Sequence, residues 1–144
     1  MSSQDFKYTI VVGGGLAGLS ACHTIIEHGG NVLLLDKNPF LGGNSTKATS
    51  GINGALTEAQ IKKKIPDSWQ TYAEDTAKSA TKGKSNKPTP TQEVLCRESA
   101  PAIEWLQRRF GLDLSLVSQL GGQSYPRTHR GPEKFPGMTI QFNK

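Results

Sequence analysis

Cysteine is scarce in this chain of 144 residues: Cys22 and Cys96 stand far apart, with no CxxC pair. That spacing excludes a disulfide framework and a cysteine-based metal motif, and no metal is expected. Two reduced, buried thiols in a reducing compartment are the simple expectation. Long apolar runs are missing as well. The longest, "YTIVV" and "NVLLL", fall far short of the ~20 residues of a membrane helix. The opening residues MSSQDF carry an acid and no apolar stretch, so no secretory signal is expected. The protein is read as intracellular, cytoplasmic or organellar, and not secreted. Aromatics make up only 7% of residues, and none is interleaved with the lysines of "IKKKIP" or "KSATKGKSNKP". The net charge of +5 is therefore read as solvated basic loops rather than a nucleic-acid face. No internal repeat is visible.

What is present is the patterning of one soluble α/β domain. "YTIVV" (Tyr8 to Val12) is short, apolar and closed by glycine, as a buried strand of a parallel sheet would be. Apolar residues then recur at helical spacing from Leu16 to His28, and Gly29-Gly30 stops them. "NVLLL" (Asn31 to Leu35) repeats the strand pattern, completing a βαβ unit. Asp67-Ser68 starts a helix with Trp69, Tyr72, Ala73, Thr76, Ala77 and Ala80 on one face. Thr81 to Pro90 has linker composition, and Thr89-Pro90 with Gln92 has the form of a capping box. The next helix should break near Ser99 to Pro101, restart through Ile103 and Leu106, and stop at Gly111. "LDLSL" alternates like a strand, and "GGQSYPRTHRGPEKFPG" reads as loop.

The chemistry is concentrated in "VVGGGLAGLSA". Gly13, Gly15 and Gly18 have the G-x-G-x-x-G spacing. The first permits a tight strand-to-helix turn, the second lets backbone approach a pyrophosphate, and the third lets the helix close on the strand. Amides near Leu16 and Ala17 would face phosphates at the positive end of the helix dipole. Asp36 follows at the end of the next strand, where a carboxylate accepts ribose hydroxyls. This fingerprint fits a dinucleotide and leaves FAD and NAD open. The following stretch, "GGNSTKATSGINGA" (Gly42 to Ala55), has two more glycine groups and a run of small hydroxyl residues. Such backbone-rich chain suits a diphosphate and flavin, although an ordinary flexible loop has similar composition.

Five blocks together resemble one family. "VVGGGLAGLSA", "LLLDKNPFLGGNSTKATSGINGA", "DSWQTYAEDTAKSA", "APAIEWL" and "LGGQSYPRTHR" follow one another as in soluble FAD-dependent fumarate reductases. That group is related to succinate dehydrogenase flavoprotein subunits and L-aspartate oxidase. The resemblance runs from Tyr8 to about Arg130. It implies an α/β fold: a Rossmann-like FAD-binding βαβ domain, incomplete, with a helical insertion. Residues 1–66 would form the βαβ unit and flavin-contacting segment, and 67–144 the helical insertion and the start of the dicarboxylate region. It further implies that Gly13, Gly15, Leu16, Ala17 and Gly18 hold the pyrophosphate, and Asp36 with Lys37 the ribose. Gly43, Asn44, Ser45 and Thr46 would lie along the diphosphate and ribityl chain. Ser50, Gly51 and Ile52 would approach the isoalloxazine ring. Arg127, His129 and Arg130 fall in a motif near the flavin and substrate in that family, or else form a loop held by arginine to backbone carbonyls. Membrane-bound relatives attach flavin through a histidine near Asn44 or Ser45, and neither position is histidine here, so FAD should be non-covalent.

The implied reaction is hydride transfer from reduced flavin to fumarate, giving succinate, with the electron donor left open. Family members continue well past this length, and their substrate clamp and proton donor come from later parts. No catalytic residue is identified in this chain. The isolated chain is therefore expected to be inactive, marginally stable and a poor flavin binder, with an unpaired sheet edge. Two alternatives remain at this stage. One is another FAD enzyme of the family, of ketosteroid dehydrogenase or aspartate oxidase type, and the other is a non-catalytic remnant.

Overall fold

A computed structural model describes residues 7–48 and 50–132. The readings made of Met1 to Phe6 and of the loop beyond Pro132 lie outside these residues. The chain divides into two compact units, with the boundary between residues 49 and 50.

In the first unit, β1 (Tyr8–Val12) and β2 (Asn31–Leu35) pair in parallel, Tyr8 opposite Asn31 through Val12 opposite Leu35. The connecting helix α1 (Leu16–Glu27) ends where the glycines require. Gly29 is left-handed, with φ 76°. Its amide donates to Ile26 O and that of Gly30 to Ile25 O, the paired bonds of a Schellman stop. Val11, Val32 and Leu34 are half-buried on the face that carries α1. The expectation of a buried β1 needs correction: Ile10 is 60% and Val12 81% exposed, with Leu33 and Leu35 also open. A parallel sheet needs cover on both faces, and among the described residues only one face has it.

The second unit is a helical body beside a small antiparallel sheet. Its helices are α2 (Glu58–Lys62), α3 (Trp69–Ala80), α4 (Pro90–Arg97) and α5 (Ser99–Phe110). The strands β3 (Ile52–Asn53), β4 (Leu116–Ser118) and β5 (Thr128–Arg130) have the order β3-β5-β4. Ser68 caps α3 through the Thr71 amide, and the Thr89 capping box with Pro90 at the first turn starts α4. Glu98 is at once the C-cap of α4 and the N-cap of α5, and Gly111 ends α5 in the left-handed conformation. Ile103, Leu106, Ala73, Ala77, Cys96 and Leu114 make the core. Both cysteines are buried and unpaired.

Within the second unit, the Ala55 amide donates to Ser99 Oγ of α5 and Thr57 meets His129 of β5, so residues 55–60 bond into this unit. Two expectations change here. "LDLSL" is not one strand. Asp113 Oδ1 takes the Ser115 amide, a local turn that competes with a sheet ladder, so β4 begins only at Leu116. Finally, Thr128–Arg130, read as loop, is the central strand β5.

Candidate functional site

At the end of β1 the chain turns through three glycines. The Gly13 amide donates to Leu35 O at 2.7 Å, extending the β1–β2 ladder by one bond, and Gly13 has φ 101°. The next amide, Gly14, donates to Asp36 Oδ2 at 2.6 Å. Asp36 Oδ1 accepts the Asn38 amide at 2.8 Å. These two backbone bonds, Asn38 first and Gly14 second, hold the Asp36 carboxyl below its ordinary value, so it is ionised at neutral pH. Each carboxylate oxygen has a further acceptor position. Asp36 thus points at the corner and keeps capacity for a hydroxylated ligand.

The chain then returns to the same corner. The Gly42 amide donates to Gly14 O at 2.6 Å, and Gly15 and Gly42 form an isolated parallel bridge. Gly42 and Gly43 both have positive φ, 120° and 51°. A Cβ on Gly43 would lie 3.5 Å from Gly15 Cα, so the two glycine groups pack backbone to backbone. The 3-10 turn Gly43–Lys47 follows, with Thr46 Oγ1 donating to Gly43 O at 2.9 Å.

The glycines divide by role. A Cβ on Gly18 would overlap the Gly13 carbonyl oxygen and lie 3.5 Å from Val11 Cγ1, so this position closes helix on strand. A Cβ on Gly14 would strike Leu41. A Cβ on Gly15 would meet nothing nearer than Gly42 O at 4.0 Å. Gly15 is the N-cap of α1, and no side chain caps it. The corner thus joins a positive helix end, an open approach at Gly15 and an anchored carboxylate. That combination suits a diphosphate joined to a ribose. Gly14 and Gly42 are the members that spacing rules missed, although the tripled glycine and the Gly42-Gly43 pair were both visible.

Residues 9–142 match the family described as FAD binding domain. The chain belongs to this FAD-binding family. It is 50% identical over 143 residues to a fumarate reductase of Schizosaccharomyces pombe, a match covering 99% of this chain and 27% of that protein. It is 46% identical over 128 residues to fumarate reductase 1 of Saccharomyces cerevisiae, covering 88% of this chain and 27% of that protein. Among solved structures, the open conformation of a flavocytochrome c3 fumarate reductase superposes with TM-score 0.80 at 30% identity, covering 95% of this chain and 24% of that one. The chain therefore spans about a quarter of the length of the relatives it matches. Its fold is an FAD-binding α/β arrangement of strands and helices, and the family's cofactor is FAD.

The remaining expected site residues are placed as follows. Lys37, Gly43, Asn44 and Thr46 are exposed and Ser45 is half-buried, all in the first unit. Ser50, Gly51 and Ile52 open the second unit and lead into β3. Arg130 is exposed. Arg127 and His129 are not: they are 1% and 0% exposed.

Arg127 donates from Nε and Nη2 to the two oxygens of Asp67, at 3.0 and 2.9 Å. Its Nη1 meets Asp75 Oδ2 at 2.9 Å, and its guanidinium lies 4.8 Å over the Tyr72 ring. Asp67 is completed by the Ser68 amide and by Gln60 Nε2, both at 2.9 Å. Gln60 Nε2 also donates to Pro126 O at 2.7 Å. Burial pushes the Tyr72 phenol up to about 12. In the second unit the geometry fits the loop-holding role for Arg127, through carboxylates rather than carbonyls.

His129 Nδ1 donates to Arg127 O at 2.9 Å, since a carbonyl only accepts. Its Nε2 then accepts from the Thr57 hydroxyl at 2.7 Å. Burial lowers the imidazole pKa from its ordinary 6.5, against the raising effects of the Arg127 and Ile52 backbone and of the Asp67 charge. Protonation therefore favours the unfolded chain. The stability that neutral His129 contributes is complete above pH 6.5 and declines as pH falls below it. Urea melts from pH 7.5 to 5.5 should show a steeper loss for wild type than for His129→Gln. Parallel profiles would contradict this.

Proposed function

We propose that this chain supplies the adenine-side seat and part of the flavin-facing wall of a fumarate reductase. The observation that carries the reading is the Gly14–Asp36–Gly42 clasp at the uncapped start of α1. Its supporting context is membership of the FAD-binding family and 50% identity to a fumarate reductase over almost the whole chain. The residues fit the cofactor. Gly15 leaves backbone approachable, the helix end favours phosphate charge, and ionised Asp36 has acceptor positions free for ribose hydroxyls.

In this reading Gly13, Gly15, Leu16, Ala17 and Gly18 hold the pyrophosphate, and Asp36 with Lys37 the ribose. Gly43, Asn44, Ser45 and Thr46 line the diphosphate and ribityl chain. Ser50, Gly51 and Ile52 bring backbone to the ring system. Asn44 and Ser45 offer no imidazole for attachment, so FAD is held non-covalently. When bound, FAD supplies a two-electron carrier for an activated alkene such as fumarate, with succinate as product. The residues of this chain contribute binding and orientation. The acid that completes the reduction and the electron donor are assigned to no residue here. Two buried thiols suit an intracellular, reducing compartment. Among the described residues no helix is long and apolar enough to cross a membrane.

Titration of the purified chain with FAD, followed by flavin fluorescence, tests the reading. The isolated chain is expected to bind FAD weakly, yet saturably and at least about tenfold tighter than NAD. Equal binding of the two, or none of FAD, would overturn it.

A further inference from the structure

One fully buried polar group of the second unit has no part in the binding roles above. His129 is fully buried, and its surroundings tie three separate stretches of chain together. Its Nδ1 donates to Arg127 O at 2.9 Å, and the Gly54 amide donates to that same oxygen at 3.0 Å. Its Nε2 accepts from Thr57 at 2.7 Å. Its own backbone pairs with Ile52 in the β3–β5 ladder. The His129 carbonyl stands where a Cβ on Gly51 would be, and Gly51 has φ 125°. The course of Gly51 to Gly54 is therefore set by His129 from two sides: through its carbonyl at Gly51 and through the shared Arg127 carbonyl at Gly54.

The support beneath it is rigid. Arg127 is clamped to Asp67 and Asp75, and Thr57 is fixed by its reciprocal capping box with Gln60. Gln60 in turn bridges Asp67 and Pro126 O. A buried charge cluster of this kind is poorly explained by stability alone, because well-packed apolar residues often serve as well or better. A network in which every group is satisfied specifies one geometry.

We propose that His129 is a positioning residue for the Gly51–Gly54 segment, held by Thr57 and the Arg127 carbonyl, and that it sets how this segment meets the flavin. The flavin clause rests on the function proposed above; the positioning of the segment does not.

The test compares Thr57→Val, which removes the hydroxyl from Nε2, with Thr57→Ser, which keeps it, and with His129→Asn. Two readouts are used: exchange of the Gly54 amide in the chain without ligand, and the visible absorption of FAD at saturating concentration. Thr57→Val and His129→Asn should speed Gly54 exchange at least about tenfold relative to amides of α5. Both should also shift the flavin band, while FAD affinity changes less than about threefold. Thr57→Ser should restore wild-type behaviour in both readouts. Gly54 exchange unchanged in Thr57→Val would overturn the positioning role. Faster exchange with an unaltered flavin spectrum would overturn the flavin clause. If wild type binds no FAD, the functional reading fails, and the exchange measurement still decides the positioning role. Should His129→Asn not fold, the Thr57 pair carries the decision.

Discussion

Gly18→Ala should cost at least about 100-fold in FAD affinity, ~2.7 kcal/mol, and should lower the melting temperature as well. The added Cβ overlaps the Gly13 carbonyl oxygen. That obstacle is backbone, not a side chain that can rotate away. Either α1 moves off β1 or the Gly13 turn opens, and both changes displace the amides at the helix start. Gly15→Ala is the informative partner. Its Cβ has nothing nearer than 4.0 Å within the protein, and Gly15 already has φ −76°, which alanine adopts readily. Gly15→Ala should melt within about 2 °C of wild type and still bind FAD at least about tenfold more weakly. One substitution damages the frame; the other only obstructs the approach. Wild-type FAD affinity in Gly15→Ala, measured by the same fluorescence titration, would contradict the assignment of this corner.

Arg127→Met should be the most destabilising single change in the second unit, by about 3–5 kcal/mol. The side chain is 1% exposed and that of Asp67 0%, so truncation leaves a buried carboxylate without its cation. Asp67 would keep only the Ser68 and Gln60 bonds. Asp75 would keep only Ser124, which donates from its amide at 2.7 Å and its hydroxyl at 2.8 Å. Removing the orphaned charge should recover part of the loss. Arg127→Met combined with Asp67→Asn and Asp75→Asn is expected to melt in urea at least about 1 kcal/mol more stably than Arg127→Met alone. If Arg127→Met costs less than about 1 kcal/mol, the cluster does not hold the unit as described.

The parts of this structure that were legible beforehand are local ones. Gly13 turns the chain at φ 101° and Gly18 closes helix on strand, the backbone roles that their spacing led one to expect. Asn31 to Leu35 and the Gly29-Gly30 stop could be read because strand period and left-handed glycine act over a few residues. The Thr89 capping box was readable for the same reason, and the same T-x-x-Q pattern at Thr57 to Gln60 would have located α2. What could not be read depends on distant partners. Gly14 and Gly42 meet only when the chain returns to the corner. Arg127 and Asp67 are 60 positions apart, and nothing in "RTHR" distinguishes a guanidinium aimed at substrate from one clamped on buried carboxylates. β5 is three residues long, too short for alternation to show. The exposure of β1 is a matter of what covers its second face, on which an apolar strand pattern is silent.

The central claim is that the Gly13–Gly18 turn, Asp36 and the Gly42-Gly43 pair together seat the adenine half of FAD. Amide chemical shifts of the ¹⁵N-labelled chain during titration with ADP, which carries that half alone, test it most directly. The account predicts saturable shifts concentrated at Gly13 to Gly18, Asp36 to Asn38 and Gly42 to Thr46, with FAD displacing ADP. Shifts that leave these amides unmoved, or that gather instead around the lysines of residues 78–87, would contradict it.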